Sequence, residues 1–180
     1  MKTAILAAAI AVTATASSAG VETTKLAQSG DWLTTFNSSD EHDIQACMMT
    51  GIGTDDDLIY FIAKQAFGER SLNIDFTIHK VDAGDGVAVI NADLIVDGDK
   101  WTLRDAEWMK EGTDVLGIEF EWDGSTGDVS RMISNMAAGN TMVLLNPANN
   151  GNMTVWNLDG MSEAKEAWDY CMGKMGDFAA

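Results

Sequence analysis

The chain has 180 residues, 46% of them hydrophobic and six of them tryptophan, with 28 acidic against 11 basic side chains and a formal net charge of −17. The apolar content excludes a disordered chain, and the charge excludes a nucleic-acid binder, which needs a basic footprint. Acidity on this scale favours solubility and is repelled by anionic membrane surfaces.

The opening residues, MKTAILAAAIAVTATASSAG, place Lys2 before an apolar stretch from Ala4 to Val12, followed by small residues. That is the layout of a secretory signal peptide. Cleavage is expected after Ala19, with Ala16 as the other fitting point, leaving residues 20–180 as a single exported domain. The apolar run is shorter than the roughly 20 residues a membrane span needs, and no later segment supplies one. The mature chain is therefore expected in the periplasm or outside the cell, not spanning a membrane.

Alternation of apolar and polar residues marks the strands. Early candidates are DWLTTFN (31–37), DIQACMMT (43–50) and DLIYFIAKQAF (57–67). The pattern is strongest in SLNIDFTIHK (71–80), where Leu72, Ile74, Phe76 and Ile78 share one face. After the turn VDAGDG, residues 87–96 put Ala88, Ile90, Ala92, Leu94 and Val96 on one side. Asp97-Gly98 then marks a hairpin reversal. DVLGIEFEW (114–122) repeats the pattern through Leu116, Ile118, Phe120 and Trp122. TMVLLN and NMTVWNL, joined through Pro147, close the set.

Two helices are expected. Over residues 128–138, Val129, Met132, Ile133, Met136 and Ala137 follow helical spacing, with Asp128 placed to cap and Gly139 to stop. Over 162–173, Ser162 can cap, Gly173 can end the helix, and Ala164, Ala167, Trp168 and Cys171 form one stripe. The expected fold is mainly β: an antiparallel, sandwich-like domain carrying two packed helices.

The two cysteines are Cys47 and Cys171. Neither has a second cysteine or a histidine nearby, so neither a zinc set nor a CxxC redox motif forms. In an oxidising compartment such a pair is expected to be a structural disulfide.

Signals for other chemistry are sparse. Asp40, Glu41, His42 and Asp43 could hold a metal but read better as a solvated loop, and His79 ends a strand. The acidic turns GTDDDL, VDAGDG, VDGDKW and WDGSTGD invite calcium, yet none completes an EF-hand loop. WDGSTGD is not a nucleophile elbow. Met132 and Met136 share a stripe with Ile133 and read as core rather than a copper site. No catalytic residue, cofactor or metal ligand is expected.

Several features coincide: the signal peptide, GDWLTTF at the start of the mature fold, Cys47 in IQACMM, and the closing MTVWNLDGMSEAKEAWDYC. Together they resemble the invasion-associated locus B family of small exported bacterial proteins, with Trp32, Cys47, Leu158-Asp159-Gly160-Met161, Ala164 and Cys171 as landmarks. Members often carry a further cysteine pair mid-domain, which this chain lacks. The resemblance implies a non-enzymatic protein acting through its surface on a protein or envelope component, with a link to host-cell invasion in some pathogens. It implies no catalytic residues. The alternative is a periplasmic small-molecule or metal-ion binding protein using acidic loops and exposed tryptophans among Trp32, Trp101, Trp108, Trp122, Trp156 and Trp168.

Overall fold

A computed structural model describes residues 14–18, 20–41, 43–78, 89–111, 114–121, 126–146 and 151–175. The first half is a run of six strands: β1 (Ala14–Ser18), β2 (Val21–Ser29), β3 (Trp32–Ser39), β4 (Ile44–Ile52), β5 (Leu58–Ala66) and β6 (Glu69–Thr77). Then come β7 (Val89–Val96), β8 (Asp99–Glu111), β9 (Asp114–Glu121), α1 (Thr126–Ala138), β10 (Thr141–Leu145), β11 (Asn152–Asn157) and α2 (Met161–Lys174).

Every pairing is antiparallel, in the order β1-β2-β3-β4-β5-β6-β9-β8-β7-β10-β11. Strand β6 pairs with β9 rather than β7, so the second meander runs backwards and β7 is left to receive β10. The two halves face one another in a sandwich-like fold with two helices. Contacts between distant strands show the closure. Trp156 of β11 meets Phe76 of β6 with ring centroids 6.0 Å apart, and Trp32 of β3 donates its indole N–H to the Asn157 carbonyl at 2.9 Å.

Where their side chains are described, the expected faces are the buried ones. Leu72, Ile74, Phe76 and Ile78 are buried, as are Ala92, Leu94 and Val96 of β7 and Ile118 and Phe120 of β9. On α1, Val129, Met132, Ile133 and Met136 are buried and Ala137 is partly so. Met132 and Met136 are thus core side chains.

Asp97 and Gly98 both take positive φ, 46° and 97°. That is the left-handed pair a two-residue type I′ hairpin requires.

Strands β2 and β8 lack a clean alternating signature, and both carry bulges. In β8, Ala106 faces Ile90 and Leu103 faces Ala92, so Arg104 and Asp105 together oppose Asn91. The extra residue brings Leu103 and Ala106, three apart, to the same buried face. In β2 the register shifts between Lys25 and Ala27, and Leu26 packs partly against the core.

Helix ends differ from expectation by a residue or two. Helix α1 begins at Thr126, so Asp128 lies in its first turn, where it accepts from Arg131 at 2.9 Å. Helix α2 starts after Gly160 in the left-handed region (φ 87°) with no side-chain cap, and Ser162 instead bonds the Glu163 carboxylate at 2.8 Å. Gly173 does not stop α2, which runs through Lys174.

Segment β1 falls within the expected signal peptide, as an edge strand on β2. The rest of that segment, His42, His79, residues 81–86, Ala88, residues 122–125 with Trp122, and Pro147 lie outside the described residues, as do the side chains of Ile90, Trp108 and Leu116. Among the described residues no helix is long and apolar enough to cross a membrane.

Candidate functional site

Helix α2 lays Met161, Ala164, Trp168 and Cys171 against the sheet. Cys47 sits on β4, and its alternation with half-buried Ala46 and Met48 turns it to the buried side. The two cysteines are joined in a disulfide, with Cα atoms 5.9 Å apart across 124 residues of sequence. Both are fully buried. Met175, just past α2, places its Sδ 3.1 Å from Cys47 Sγ. A bonded sulfur walled off from solvent is neither nucleophile nor metal ligand. The pair is a fastening.

The two fully described acidic turns, VDGDKW and GTDDDL, are built into the framework. The Asp97 carboxylate accepts from the Asn140 backbone N–H at 2.8 Å, the Asn140 amide at 3.0 Å, the Thr141 N–H at 3.0 Å and the Thr141 hydroxyl at 3.2 Å. These bonds tie the β7–β8 hairpin to the start of β10. The backbone N–H groups of Thr141 and Asn140 hold the Asp97 carboxyl below the ordinary carboxylate range. For Asp93, partial burial pushes upward. Hydrogen bonds from Lys100 and Thr102, with the Lys100 charge, outweigh it and leave the carboxyl lowered. Glu163 is lowered by the Ser162 hydroxyl and by its own backbone N–H in the first turn of α2.

The turn GTDDDL forms a short 3₁₀ segment, Thr54–Asp56, with Asp55 and Asp56 exposed and left-handed (φ 58° and 62°). It is pinned to β11, whose Val155 N–H donates to Thr54 Oγ1 at 3.2 Å, while the Thr54 and Thr154 hydroxyls lie 3.1 Å apart. Asp57 is buried at its foot. Asp40, Glu41 and Asp43 are exposed. Among the described residues, no three His, Cys, Asp or Glu side chains converge as a metal site would require.

The tryptophans whose side chains are described do not form an exposed platform. Trp32, Trp156 and Trp168 are buried, and Trp101 is half-buried beneath the Arg131 guanidinium, 5.1 Å from the ring centroid. Neighbouring glycines explain the burial. A Cβ on Gly51 would lie 2.6 Å from the Trp32 ring, and one on Gly53 would lie 2.8 Å from Trp156 Nε1. Only a residue without a Cβ lets the backbone approach these indoles this closely.

One surface feature was not anticipated. At the β5–β6 turn, Phe67 and Gly68 take φ of 51° and 81°, and the Phe67 side chain is 75% exposed. The Phe67 N–H donates to the Asp43 carbonyl at 3.4 Å, which sets this tip beside the β3–β4 turn. The signal lay in AFGER, where Phe-Gly occupies the place that Asn-Gly usually takes between alternating strands.

Comparison with family models, curated proteins and solved structures finds no match to this chain.

Proposed function

We propose that this is an exported, non-enzymatic protein that acts through its outer surface, in the manner of the invasion-associated locus B proteins whose short motifs it resembles. The observation that carries this reading is how the acidic side chains are used. Asp93, Asp97 and Glu163 are all held below the ordinary carboxylate range by hydrogen bonds. All three are therefore ionised at neutral pH, the opposite of a carboxyl tuned upward to act as a general acid. They brace the β7–β8 strand pair, its link to β10 and a helix start. The described interior is filled by large apolar side chains, including Trp32, Trp156, Phe61 and Phe76, and recognition then falls to the exterior.

The buried Cys47–Cys171 disulfide is compatible with an extracytoplasmic location, and the signal peptide read in residues 1–19 supplies the route. Removing that leader takes away Lys2 and no acidic residue, so the mature surface is more acidic still.

Cross-linking in intact producing cells, followed by mass spectrometry, tests this reading. The expected result is reproducible capture of a protein or envelope component through surface residues. Recovery of the protein only in uncross-linked form, together with saturable stabilisation by a small molecule, would overturn it in favour of a ligand-binding role.

A further inference from the structure

We infer that the end of the sheet around Phe67 is a docking site for a positively charged, lysine- and arginine-bearing segment of a partner protein. This assigns a place and a partner chemistry to the surface-acting reading above, and rests on it.

Phe67 is a poor residue for the turn it occupies. A type I′ turn needs positive φ at both central residues and favours Asn, Asp or Gly there. A bulky aromatic at φ 51° is an outlier that strains the backbone. Such strain persists when packing compensates for it, but this side chain is 75% exposed, against 58% for Tyr170 and 45% for Ile52. Phe67 therefore costs the fold twice, in conformation and in exposed apolar area, with little packing against the described residues in return. A binding role accounts for the residue where stability does not.

The Phe67 N–H holds the tip against Asp43, and Asp40, Glu41, Asp43 and Glu69 are all exposed around these two turns. Lys64 and Arg70 are exposed on the flanking strands, so among the described residues the acidic groups outnumber the basic ones at this end. The face of an aromatic ring attracts cations, and the carboxylates add to that field. The overall charge of −17 opposes both a second copy of the chain and an anionic lipid surface. A single ring beside open turns does not enclose a small cation. An extended basic polypeptide, with several side chains to place, fits better.

The test uses the full mature chain and Phe67→Asn, a substitution matched to the turn. The protein is titrated with a short synthetic peptide of alternating lysine and alanine, watched by amide NMR, with a glycine-serine peptide and anionic phosphatidylglycerol vesicles as comparisons. Amide shifts should concentrate on Asp40, Glu41, Asp43 and residues 67–70 and weaken with salt. Affinity should fall about three- to tenfold in Phe67→Asn, while its melting temperature equals or exceeds that of the unsubstituted protein. Shifts spread evenly over the acidic turns, an affinity unchanged in Phe67→Asn, preference for vesicles, or a lower melting temperature in the variant would each overturn the proposal. In cells, a partner cross-linked equally well to Phe67→Asn removes this site and leaves the surface-acting reading standing.

Discussion

The Thr34 hydroxyl donates to the carbonyl of Ala164 at 3.0 Å in a buried contact between β3 and α2. On the neighbouring strand β4, Cys47 is bonded to Cys171, two helical turns further along α2. The helix is thus fastened at two points along its buried stripe, once by a hydrogen bond and once covalently. The same arrangement buries Trp168 between the two fastenings.

Breaking the covalent fastening should cost far more than breaking the other. Cys47→Ala and Cys171→Ala should each destabilise by about 2–5 kcal/mol, the range for loss of a native disulfide, since the bond closes a long loop. For a domain of this size that corresponds to a fall in melting temperature of about 4–20 °C. The double variant should match the singles, because all remove one bond. Thermal melts check the magnitude, and intact mass checks the premise. The unreduced, denatured protein should take up no alkyl group, and the reduced protein two.

Thr34→Val keeps the shape and removes the hydroxyl. The Ala164 carbonyl lies within α2 and keeps its helical acceptor role, so no buried group is left bare. The expected loss is about 0.5–1.5 kcal/mol, the net worth of one hydrogen bond. Denaturant unfolding should show a lower midpoint at an unchanged slope. A loss as large as that of Cys171→Ala would mean the hydroxyl carries more of the helix's anchoring than one hydrogen bond supplies.

Two left-handed glycines should respond differently to alanine. Gly68 has φ 81° with open space around it, so Gly68→Ala bears only the conformational penalty, about 1–2 kcal/mol. Gly160 has φ 87°, and an added Cβ would lie 2.3 Å from the Ser29 carbonyl oxygen. Gly160→Ala must therefore displace the β2–β3 turn or the start of α2, and should cost several kcal/mol, about 4 or more. Equal melting temperatures for the two variants would contradict the close approach.

The pH dependence of Asp97 has a fixed sign. Its carboxyl is lowered in the folded state, chiefly by the Thr141 and Asn140 N–H groups. The stability it contributes is fully present above the ordinary carboxylate range of about pH 4 and is lost as pH falls below it. Acidification also relieves the mutual repulsion of the other carboxylates, so the informative quantity is a difference. Asp97→Asn should be less stable than the parent at neutral pH, and the gap should narrow as pH falls through the carboxylate range. A gap that widens on acidification would reverse the assignment.

Calcium separates the two functional readings. If the acidic turns are structural, millimolar calcium should raise the melting temperature no more than a monovalent salt of matched ionic strength. A saturable, calcium-specific rise at micromolar concentration would instead favour the ion-binding alternative.

Period-two alternation in residues 71–78 and helical spacing in 129–137 determined the faces that are buried, because burial in a half-covered strand or helix follows local geometry. The Asp97-Gly98 reversal was equally local, since two small turn residues supply the positive φ it needs. The cysteine pairing was legible for another reason: a chain with two cysteines leaves one intramolecular partner. Strands β2 and β8 were not legible, because their bulges break the alternation that would have revealed them. Bulges depend on the neighbouring strand, so only the assembled sheet decided them. The tertiary structure also decided which tryptophans are buried, since Trp32 and Trp156 rest on Gly51 and Gly53 from other segments of the chain. Phe67 completes the contrast. Its letter alone read as one more apolar residue at a strand end, and only the turn geometry left its ring largely in solvent.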